Sequence, residues 1–467
     1  KNLSDLAEKI ELLKSAGYDE PKAIVMSIFG ITEDMNNSDK IDRLIKDGNK
    51  TYSYKEVNDI VYDRACSLID YGVKNKSNVL ISLSSSLDFI EAYLACYKIG
   101  SISILLNHNW NQQEVQNSIS HISIDYIICN WKDKSRFDNL GKPIIFFEEL
   151  SKSYGNCFNK RLKFKSLAND IQSILFTSGT QGKPKGVCLT YDNFYNSSLK
   201  WKEAIQINQN DTYLLNLPLF HISGIGIVMR SLHLGFTVKI NTNLNDQKYE
   251  ATLISIVPTI LEKLIHNQSS LKELQFLRCI VVSGSTIQKD LLERCESLNL
   301  KIFLSYGMTE TCSSICGFWP FDFPEKKESV GRPFNGVSID VQDKQLIIES
   351  NTIMKCYVNG KDTKGKINTS DLGKLSDGYV YLDGRSDNLI ISGGENIDPT
   401  EAIMILKKSF KFDKIESFKK NDLRWGEISG LYIYTDEEIN KDKIFEKLKE
   451  KLSSYKIPKE IIFKKSN

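Results

Sequence analysis

The hydrophobic and polar positions of the first third of the chain alternate between amphipathic segments and short apolar runs. The stretch 51–73 places Val57 and Val61 on one face of a predicted helix, and Ser53 stands three residues before Glu56, the spacing of a capping box. Short apolar runs, which predict buried strands, occur at 78–83, 101–106 and 125–129. This alternation favours a parallel sheet wrapped by helices.

The same alternation continues through the middle of the chain and then changes. Further strand candidates, each separated by a helical or loop segment, lie at 213–217, 238–240, 253–257, 279–283 and 302–306. From residue 336, short alternating strands with turns predict a small antiparallel or barrel-like unit. Beyond Asp387, helices and strands mix again. The predicted fold class is α/β, with a large N-terminal domain of helix-wrapped β-sheets plus a small barrel-like subdomain (1–386) and a small α+β C-terminal domain (387–467).

Composition and charge narrow the classes of function. Lys plus Arg (61) and Asp plus Glu (59) nearly cancel over the 467 residues, so no overall field favours nucleic acid as a partner. No apolar run in the sequence is long enough to cross a bilayer. The ten cysteines are scattered without a CxxC pair, which predicts small buried side chains in a reducing compartment. These features indicate a cytoplasmic protein with small-molecule partners; the oligomeric state is left open, a homodimer included.

The stretch ILFTSGTQGKPKGV (174–187) concentrates glycine, hydroxyl and lysine residues directly after an apolar run. A P-loop would need a glycine five residues before Gly182 and a Ser or Thr directly after Lys183. Thr177 and Pro184 occupy those positions, which excludes the kinase-type loop. Backbone N–H groups freed by glycines, with hydroxyls and a lysine, still suit a polyphosphate, although a surface turn of this composition is the alternative.

Three later segments carry polar residues that suit the other parts of a bound nucleotide. In SYGMTET, Thr309 and Glu310 supply a hydroxyl and a carboxylate for a phosphate and its Mg²⁺. In NTSDLG, Asp371 supplies a carboxylate that can accept hydrogen bonds from both ribose hydroxyls. In GRSDNLIISGGENI, Arg385 is followed by Asp387 and by a glycine pair. Together with the loop, these segments predict a site for a magnesium-bound nucleotide.

The ordered set TSGTQGKPKGV, PLFHISG, YGMTET, TSDLG and GRSDNLIISGGENI resembles the adenylate-forming superfamily. This superfamily contains acyl-CoA synthetases, firefly luciferase and the adenylation domains of peptide synthetases. The resemblance extends from about residue 40 to the end of the chain, and the full set in order is far more specific than any single motif. Within the superfamily, the segments around His221, Glu310 and Arg385 are most similar to those of the 2-succinylbenzoate:CoA ligases of the menaquinone pathway.

The resemblance implies an ATP-dependent carboxylic acid:CoA ligase. The carboxylate attacks the α-phosphorus of ATP to give acyl-AMP and pyrophosphate, and the thiol of coenzyme A then displaces AMP to form a thioester. ATP, Mg²⁺ and coenzyme A are therefore expected, together with a carboxylic acid for which 2-succinylbenzoate is the first choice. Because the first step brings anions together, charge neutralisation and alignment should carry most of the catalysis.

The resemblance also implies roles for individual residues. The ATP phosphates would be surrounded by Thr177, Ser178, Gly179, Thr180, Gly182, Lys183 and Lys185. The adenine and acyl pocket would be walled by Ser283, Gly284, Ser285, Ser305, Tyr306 and Gly307. Thr309 would contact the α-phosphate, and Glu310 would bind Mg²⁺. Asp371 and Arg385 would contact the ribose, and His221 would lie beside the carboxylate that is activated.

Two chemically different half-reactions share one site, so the resemblance implies a mobile C-terminal domain that rotates about a hinge. Asp387 matches the hinge position of the family, where a short side chain tolerates a large dihedral change. The segment SGGEN (392–396), which contains Gly393 and Gly394, would face the pocket and help to line the pantetheine channel in the thioester-forming arrangement.

The sequence departs from the family pattern at two places. Ser370 replaces the glycine of the ribose motif, and a serine there would crowd a backbone that needs a positive φ. Relatives also carry a lysine that reaches the α-phosphate, a few residues after their last strand. Lys459, Lys464 and Lys465 do not match that position, so we expect this lysine beyond Asn467.

Two other functions stay open at this point. One is a stand-alone adenylating enzyme that loads an aryl, fatty or amino acid onto the phosphopantetheine of a separate carrier protein. The other is a nucleotide-binding relative that keeps the pocket but has lost turnover, which the unmatched lysine motivates and the intact phosphate and ribose residues oppose.

Overall fold

A computed structural model describes residues 44–152, 167–177, 184–241, 243–245, 248–386, 389–410, 412, 414–435 and 440–464. The α-helices in these ranges are α1 (Tyr54–Asp70), α2 (Leu87–Ile99), α3 (Gln112–Ile119), α4 (Phe147–Leu150), α5 (Tyr191–Ile205), α6 (Ile222–Leu234), α7 (Pro258–His266), α8 (Gln268–Phe276), α9 (Lys289–Ser297), α10 (Pro399–Ser409) and α11 (Lys441–Lys449). Short 3₁₀ helices occupy Trp131–Arg136, Asp138–Leu140, Thr309–Thr311, Pro324–Lys326 and Ser454–Lys456. None of the helices in these ranges combines the length and the hydropathy that a bilayer span needs.

The strands contribute to four sheets. In chain order they are β1 (Ile45–Asp47), β2 (Lys50–Tyr52), β3 (Asn78–Ser82), β4 (Ile102–Leu105), β5 (Tyr126–Cys129), β6 (Ile144–Phe146), β7 (Ile171–Thr177), β8 (Lys185–Thr190), β9 (Thr212–Leu215), β10 (Thr237–Ile240), β11 (Leu253–Ile256), β12 (Cys279–Val282), β13 (Ile302–Met308), β14 (Ser313–Phe318), β15 (Arg332–Pro333), β16 (Val337–Gln342), β17 (Gln345–Ser350), β18 (Cys356–Tyr357), β19 (Lys366–Ser376), β20 (Tyr379–Arg385), β21 (Ile390–Ser392), β22 (Glu395–Ile397), β23 (Lys414–Asp422), β24 (Gly426–Tyr434) and β25 (Glu460–Lys464).

The first two sheets are parallel at their centres and antiparallel at one or both edges. The first has the order β18-β8-β7-β4-β3-β5-β6, in which β8 and β18 are the antiparallel additions. The second has the order β15-β14-β13-β12-β11-β9-β10-β1-β2, in which β2, β14 and β15 are antiparallel. Their central strands are rich in buried Val, Ile and Leu, as expected for parallel strands that helices cover on both faces. The α/β fold class and the predicted strand runs are confirmed.

Local signals set the ends of the first two helices. The Ser53 hydroxyl accepts the N–H of Glu56 at 3.1 Å, and the Glu56 carboxylate accepts the N–H of Ser53 at 2.8 Å. This is the predicted capping box, which satisfies donors that the first turn of a helix leaves unpaired. Gly100 ends α2 with φ 78°, a left-handed conformation that glycine adopts without steric cost.

The two smaller sheets lie C-terminal to the parallel ones in sequence. The third is antiparallel with the order β16-β17-β19-β20, as predicted for the segment after residue 336. The fourth joins β22-β21-β24-β23, with β25 parallel to β24, and packs against α10 and α11. All strands of the fourth sheet come from residues 390–464, which supports a division near residue 387, although the two-domain division itself stays a prediction.

Asp211 connects the starts of three strands of the second sheet. Its carboxylate accepts hydrogen bonds from Arg278 at 2.7 and 2.5 Å, from the Thr252 hydroxyl at 2.7 Å and from the Asn208 N–H at 3.0 Å. Burial alone would raise the pKa of Asp211, but these hydrogen bonds outweigh burial and lower the pKa below its ordinary value. The ionised carboxylate therefore stabilises the positions at which β9, β11 and β12 begin.

We expect Asp211→Asn to lower the free energy of unfolding by about 3 kcal/mol at pH 7, because Arg278 would lose its charged partner. Denaturant titration followed by tryptophan fluorescence measures this loss. Since the folded pKa is lowered, the contribution of Asp211 is present above the unfolded pKa of about 4 and disappears as the pH falls through the folded value. The difference between variant and wild type should therefore shrink in acid, and a difference that stays constant would contradict this role.

Candidate functional site

A cavity of about 820 Å³ lies where residues from all four sheets meet. Its walls include the ends of β7, β12 and β13, the antiparallel pair β19 and β20, and the beginning of β22. The carboxyl ends of parallel strands are the usual position of ligand sites in α/β proteins. The sequence motifs singled out above therefore have one place to meet.

The phosphate-type loop opens onto this cavity at both of its ends. Thr177 is the last residue of β7 and Lys185 the first of β8, and both line the cavity. The Lys185 ammonium lies 5.3 Å from the centroid of the Tyr357 ring, a cation–π distance. The other predicted loop residues, Ser178, Gly179, Thr180, Gly182 and Lys183, lie outside the described residues.

The residues at the ends of β12 and β13 form part of the cavity wall. All six predicted wall residues line the cavity: Ser283, Gly284, Ser285, Ser305, Tyr306 and Gly307. Gly284 has φ +85°, a conformation that other residues rarely adopt, and it turns the chain directly after β12. The register of β13 against β14 shifts between Tyr306 and Gly307, so a β-bulge lies in the wall of the cavity.

Asp371 joins the second and third sheets at the cavity wall. Its side chain is 8% exposed, and Oδ1 accepts a hydrogen bond from Arg385 Nη1 at 2.9 Å. Oδ2 accepts the Tyr306 hydroxyl at 2.5 Å. Burial, with the neighbouring carboxylate, raises the pKa of Tyr306, so the phenol keeps the proton that it donates. The structure thus places both predicted ribose residues, Asp371 and Arg385, side by side.

The expected crowding at Ser370 does not occur. Ser370 lies within the extended strand β19 and does not have a positive φ. Its carbonyl accepts hydrogen bonds from the N–H and the hydroxyl of Ser386 at 2.7 and 3.0 Å. A serine is therefore compatible with the backbone that carries Asp371.

Thr309 and Glu310 lie in the 3₁₀ turn between β13 and β14, and both line the cavity. Glu310 Oε1 accepts the Tyr357 hydroxyl at 2.8 Å, and its carbonyl accepts the Met354 N–H at 2.8 Å. Burial raises the pKa of Glu310, which indicates a carboxylate that gains from a cationic neighbour. Mg²⁺ is usually bound by one or two carboxylates and completes its shell with water and phosphate oxygens. The donor set around Glu310 therefore fits a magnesium ion.

His221 meets the first residues of β22 at the opposite side of the cavity. His221 Nε2 lies 3.2 Å from Glu395 Oε1. Burial alone would raise the pKa of Glu395, but His221 and Lys456 outweigh it and lower the pKa. Gly394 approaches so closely that a Cβ there would lie 2.8 Å from Val257 Cγ1. The segment from the fourth sheet thus closes against the end of the second sheet.

Gly393 contributes to the cavity less directly than Gly394. Gly393 has φ +60° and donates its N–H to the Trp425 carbonyl at 2.7 Å, so its contacts are within the fourth sheet. Asp387, the predicted hinge, lies outside the described residues.

Comparison with known proteins assigns the family. The model of the family described as AMP-binding enzyme matches residues 33–358, well over half of the chain. The chain belongs to this AMP-binding enzyme family. The resemblance to adenylate-forming enzymes is therefore confirmed.

Individual members of the AMP-binding enzyme family are similar over most of their length. The 2-succinylbenzoate–CoA ligase of Lactococcus lactis is 30% identical over 408 residues, which cover 84% of this chain and 87% of that protein. A double mutant of the o-succinylbenzoate CoA synthetase of Bacillus subtilis, bound with a product analogue, superposes with TM-score 0.84 at 27% identity over 91% of this chain and 92% of that chain. The same enzyme in complex with ATP and magnesium ion superposes with TM-score 0.71 at 26% identity, covering 94% and 95%.

Several residues of this AMP-binding enzyme line the cavity without having been predicted from the sequence. Tyr357 holds Glu310, and Trp110 and Lys456 also line the cavity. For Glu395, the segment was predicted but the contact with His221 was not. The glycine pair before Glu395 marked this segment in the sequence, because the segment was predicted to line the pantetheine channel. Tyr357 had no comparable signal, since its role depends on a partner 47 residues away.

Gly307→Ala should disturb the cavity wall. A Cβ at Gly307 would lie 2.2 Å from the Ser313 carbonyl oxygen and 2.4 Å from the Ser314 Cα, so β13 and β14 would have to separate. We expect a loss of about 2 kcal/mol in the free energy of unfolding and weaker nucleotide binding. Gly378→Ala is the control, because Gly378 needs glycine only for its backbone conformation (φ +77°) and has open space around it. Equal effects of the two variants on nucleotide binding would contradict a local cause.

Proposed function

We propose that this AMP-binding enzyme is a carboxylic acid:CoA ligase that forms an acyl-AMP intermediate and releases AMP and pyrophosphate. The observation that carries the proposal is the convergence of the loop ends, Glu310, the Asp371–Arg385 pair and His221 on one cavity. The names of the relatives support 2-succinylbenzoate as the acid. A cytoplasmic location and a homodimeric state stay predictions.

In this proposal, different cavity residues bind different parts of the ATP molecule. Asp371, held by Arg385 and Tyr306, accepts the ribose hydroxyls, because an ionised carboxylate can accept two such hydrogen bonds. Thr177 and Lys185, at the two ends of the loop, face the phosphates. Glu310 would hold Mg²⁺, which neutralises phosphate charge when bound.

The proposed chemistry follows from this placement. An oxygen of the acid attacks the α-phosphorus, the bond to the bridging oxygen of pyrophosphate breaks, and acyl-AMP forms. The thiolate sulfur of coenzyme A then attacks the acyl carbon, and AMP leaves with the oxygen that came from the acid. His221 lies where the acid meets the nucleotide, and Glu395 orients its imidazole through the 3.2 Å contact. In this chain, Gly394 and Glu395 would line the path of the thiol.

We also propose that residues 387–467 form a domain that rotates between the two half-reactions. The structure has the segment around Gly394 and Glu395 against the cavity, as the thiol-transfer step needs. The higher TM-score with the product-analogue complex than with the ATP complex of the Bacillus subtilis enzyme supports this interpretation. The adenylation step would use a different orientation of the same domain.

The environment of Arg230 is consistent with a substrate acid that carries a second anionic group. It is buried, its Nη1 has no hydrogen-bond partner, and it has no carboxylate partner in the described part of the chain. Its Nε donates to the Gly226 carbonyl at 2.9 Å, so the guanidinium lies toward the N-terminal end of α6, whose N-cap is His221. It also packs at 4.8 Å on Trp201, whose Nε1 donates to the hydroxyl of the cavity residue Ser313. Arg230 also packs on Tyr213 at 5.9 Å and does not line the cavity itself, but its contact with Trp201, the partner of Ser313, brings a buried positive charge near the cavity wall. This charge suits the second carboxylate of 2-succinylbenzoate.

The direct test is a panel of carboxylic acids with ATP, Mg²⁺ and coenzyme A. We expect 2-succinylbenzoate to release pyrophosphate and AMP and to give a thioester of matching mass, with benzoate and a fatty acid far slower. Pyrophosphate release without consumption of coenzyme A, together with acylation of a carrier protein, would indicate the carrier-loading alternative. Absence of acid-dependent pyrophosphate release, or formation of ADP, would contradict the proposal.

Arg230→Met should remove selectivity for the second carboxylate while keeping the packed volume. We expect kcat/KM for 2-succinylbenzoate to fall about tenfold or more, because a charge-assisted hydrogen bond is lost. The matched substrate is 4-oxo-4-phenylbutanoate, which lacks the ring carboxylate, and its kcat/KM should change little. If the ratio of kcat/KM for the two substrates is the same in the variant as in the wild type, Arg230 does not recognise the ring carboxylate.

A further inference from the structure

We propose that Glu114, on α3, is a positioning residue that holds the segment 387–467 in the arrangement used for thioester formation. The proposal rests on the proposed function and adds to it a residue outside the cavity motifs. Glu114 belongs to the region matched by the AMP-binding family, whereas its partners Ser453 and Lys456 belong to the segment that carries the fourth sheet.

The contact is a convergence of donors on one carboxylate. Glu114 Oε1 accepts the Ser453 N–H at 3.0 Å and lies 3.5 Å from Lys456 Nζ. Glu114 Oε2 accepts the Ser453 hydroxyl at 2.5 Å and the N–H of Asn111, the N-cap of α3, at 2.9 Å. Both oxygens are therefore engaged, and three of these four donors come from the C-terminal segment.

Burial makes this contact strong and specific. The side chains of Glu114 and Lys456 are 5% and 8% exposed. Hydrogen bonds to an ionised group are stronger than neutral ones, and a buried charge that loses its partners is costly. Lys456 also pairs with Glu401 of α10 at 3.0 Å, so it keeps one carboxylate when Glu114 is replaced. The C-terminal segment can therefore stay folded when only its attachment to α3 is weakened.

The attachment lies directly beside the cavity. Trp110, just before α3, donates its indole N–H to the Tyr455 hydroxyl at 3.1 Å and packs edge-on against Phe176, the residue before Thr177. Lys456 also lowers the pKa of Glu395, the partner of His221. The contact of the 453–456 turn with α3 therefore also helps to hold Glu395 at the end of the cavity where the reaction is proposed to occur.

A contact that exists in one arrangement only can stabilise only that arrangement. Glu114 does not line the cavity, so it makes no contact that adenylation would need. Weakening it should lower the fraction of enzyme that is competent for coenzyme A, and the apparent affinity falls by the same factor. Saturating coenzyme A should restore the rate by mass action.

The test compares the two half-reactions in Glu114→Gln with 2-succinylbenzoate, ATP, Mg²⁺ and coenzyme A. The glutamine keeps the volume but turns a donor toward Ser453 and Lys456. We expect single-turnover acyl-AMP formation within twofold of wild type, KM for coenzyme A raised about tenfold, and kcat at saturating coenzyme A within twofold. Ser453→Ala, which removes one hydrogen bond and leaves the charge pair, should raise this KM by a smaller factor.

The matched control is Glu56→Gln, which alters the equivalent capping box of α1 at an exposed position that has no partner among the described residues of the C-terminal segment. It should leave both half-reactions unchanged. An unchanged KM for coenzyme A in Glu114→Gln, an equal loss in both half-reactions, or the same change in the control would overturn the proposal. Failure of the wild-type protein to form acyl-AMP would instead refute the proposed function, so the two failures are distinguishable.

Discussion

The burial of one carboxylate, Asp371, is the constraint on which the cavity depends. A buried negative charge is tolerated only with partners, and here Arg385 and the Tyr306 hydroxyl provide them. Tyr306 belongs to the parallel second sheet, whereas Asp371 and Arg385 belong to the antiparallel third sheet. The pairing therefore fixes the two sheets relative to each other at the place where a nucleotide would lie, and it leaves Asp371 available to ribose hydroxyls.

A second feature is the way in which the fourth sheet closes the cavity. Its contacts include polar ones, Glu395 with His221 and Ser453 and Lys456 with Glu114, besides the close approach of Gly394 to Val257. Contacts of this kind resemble transient interfaces more than a shared apolar core, and the fourth sheet has its own hydrophobic cluster with α10 and α11. These features support the proposal that the unit moves between the two half-reactions without unfolding.

The sequence predicted those parts of the molecule that depend on near neighbours. The capping box at Ser53 and the parallel strands follow from short-range patterns. The family resemblance located Asp371 and Arg385, and the pairing of β19 with β20 brings these two residues opposite each other. Glu114, Arg230 and Tyr357 were missed, as was the contact of Glu395 with His221, because these roles depend on partners far away in the chain. Crowding at Ser370 was expected only if that position needed a positive φ, and this condition is not met because the motif lies in an extended strand. The roles of the loop residues 178–183 and of Asp387 stay predictions, since the structure does not describe them.

The central claim is that the cavity directs the α-phosphorus of ATP, and not its terminal phosphorus, toward a carboxylic acid. Isotope transfer from 2-succinylbenzoate labelled with ¹⁸O in its carboxylates tests this claim most directly, with mass spectrometry of the nucleotide after turnover with ATP and coenzyme A. The account predicts AMP that carries one ¹⁸O atom, because the oxygen that attacked phosphorus stays with AMP when the thioester forms. Label in inorganic phosphate accompanied by ADP, or AMP without label, would contradict it.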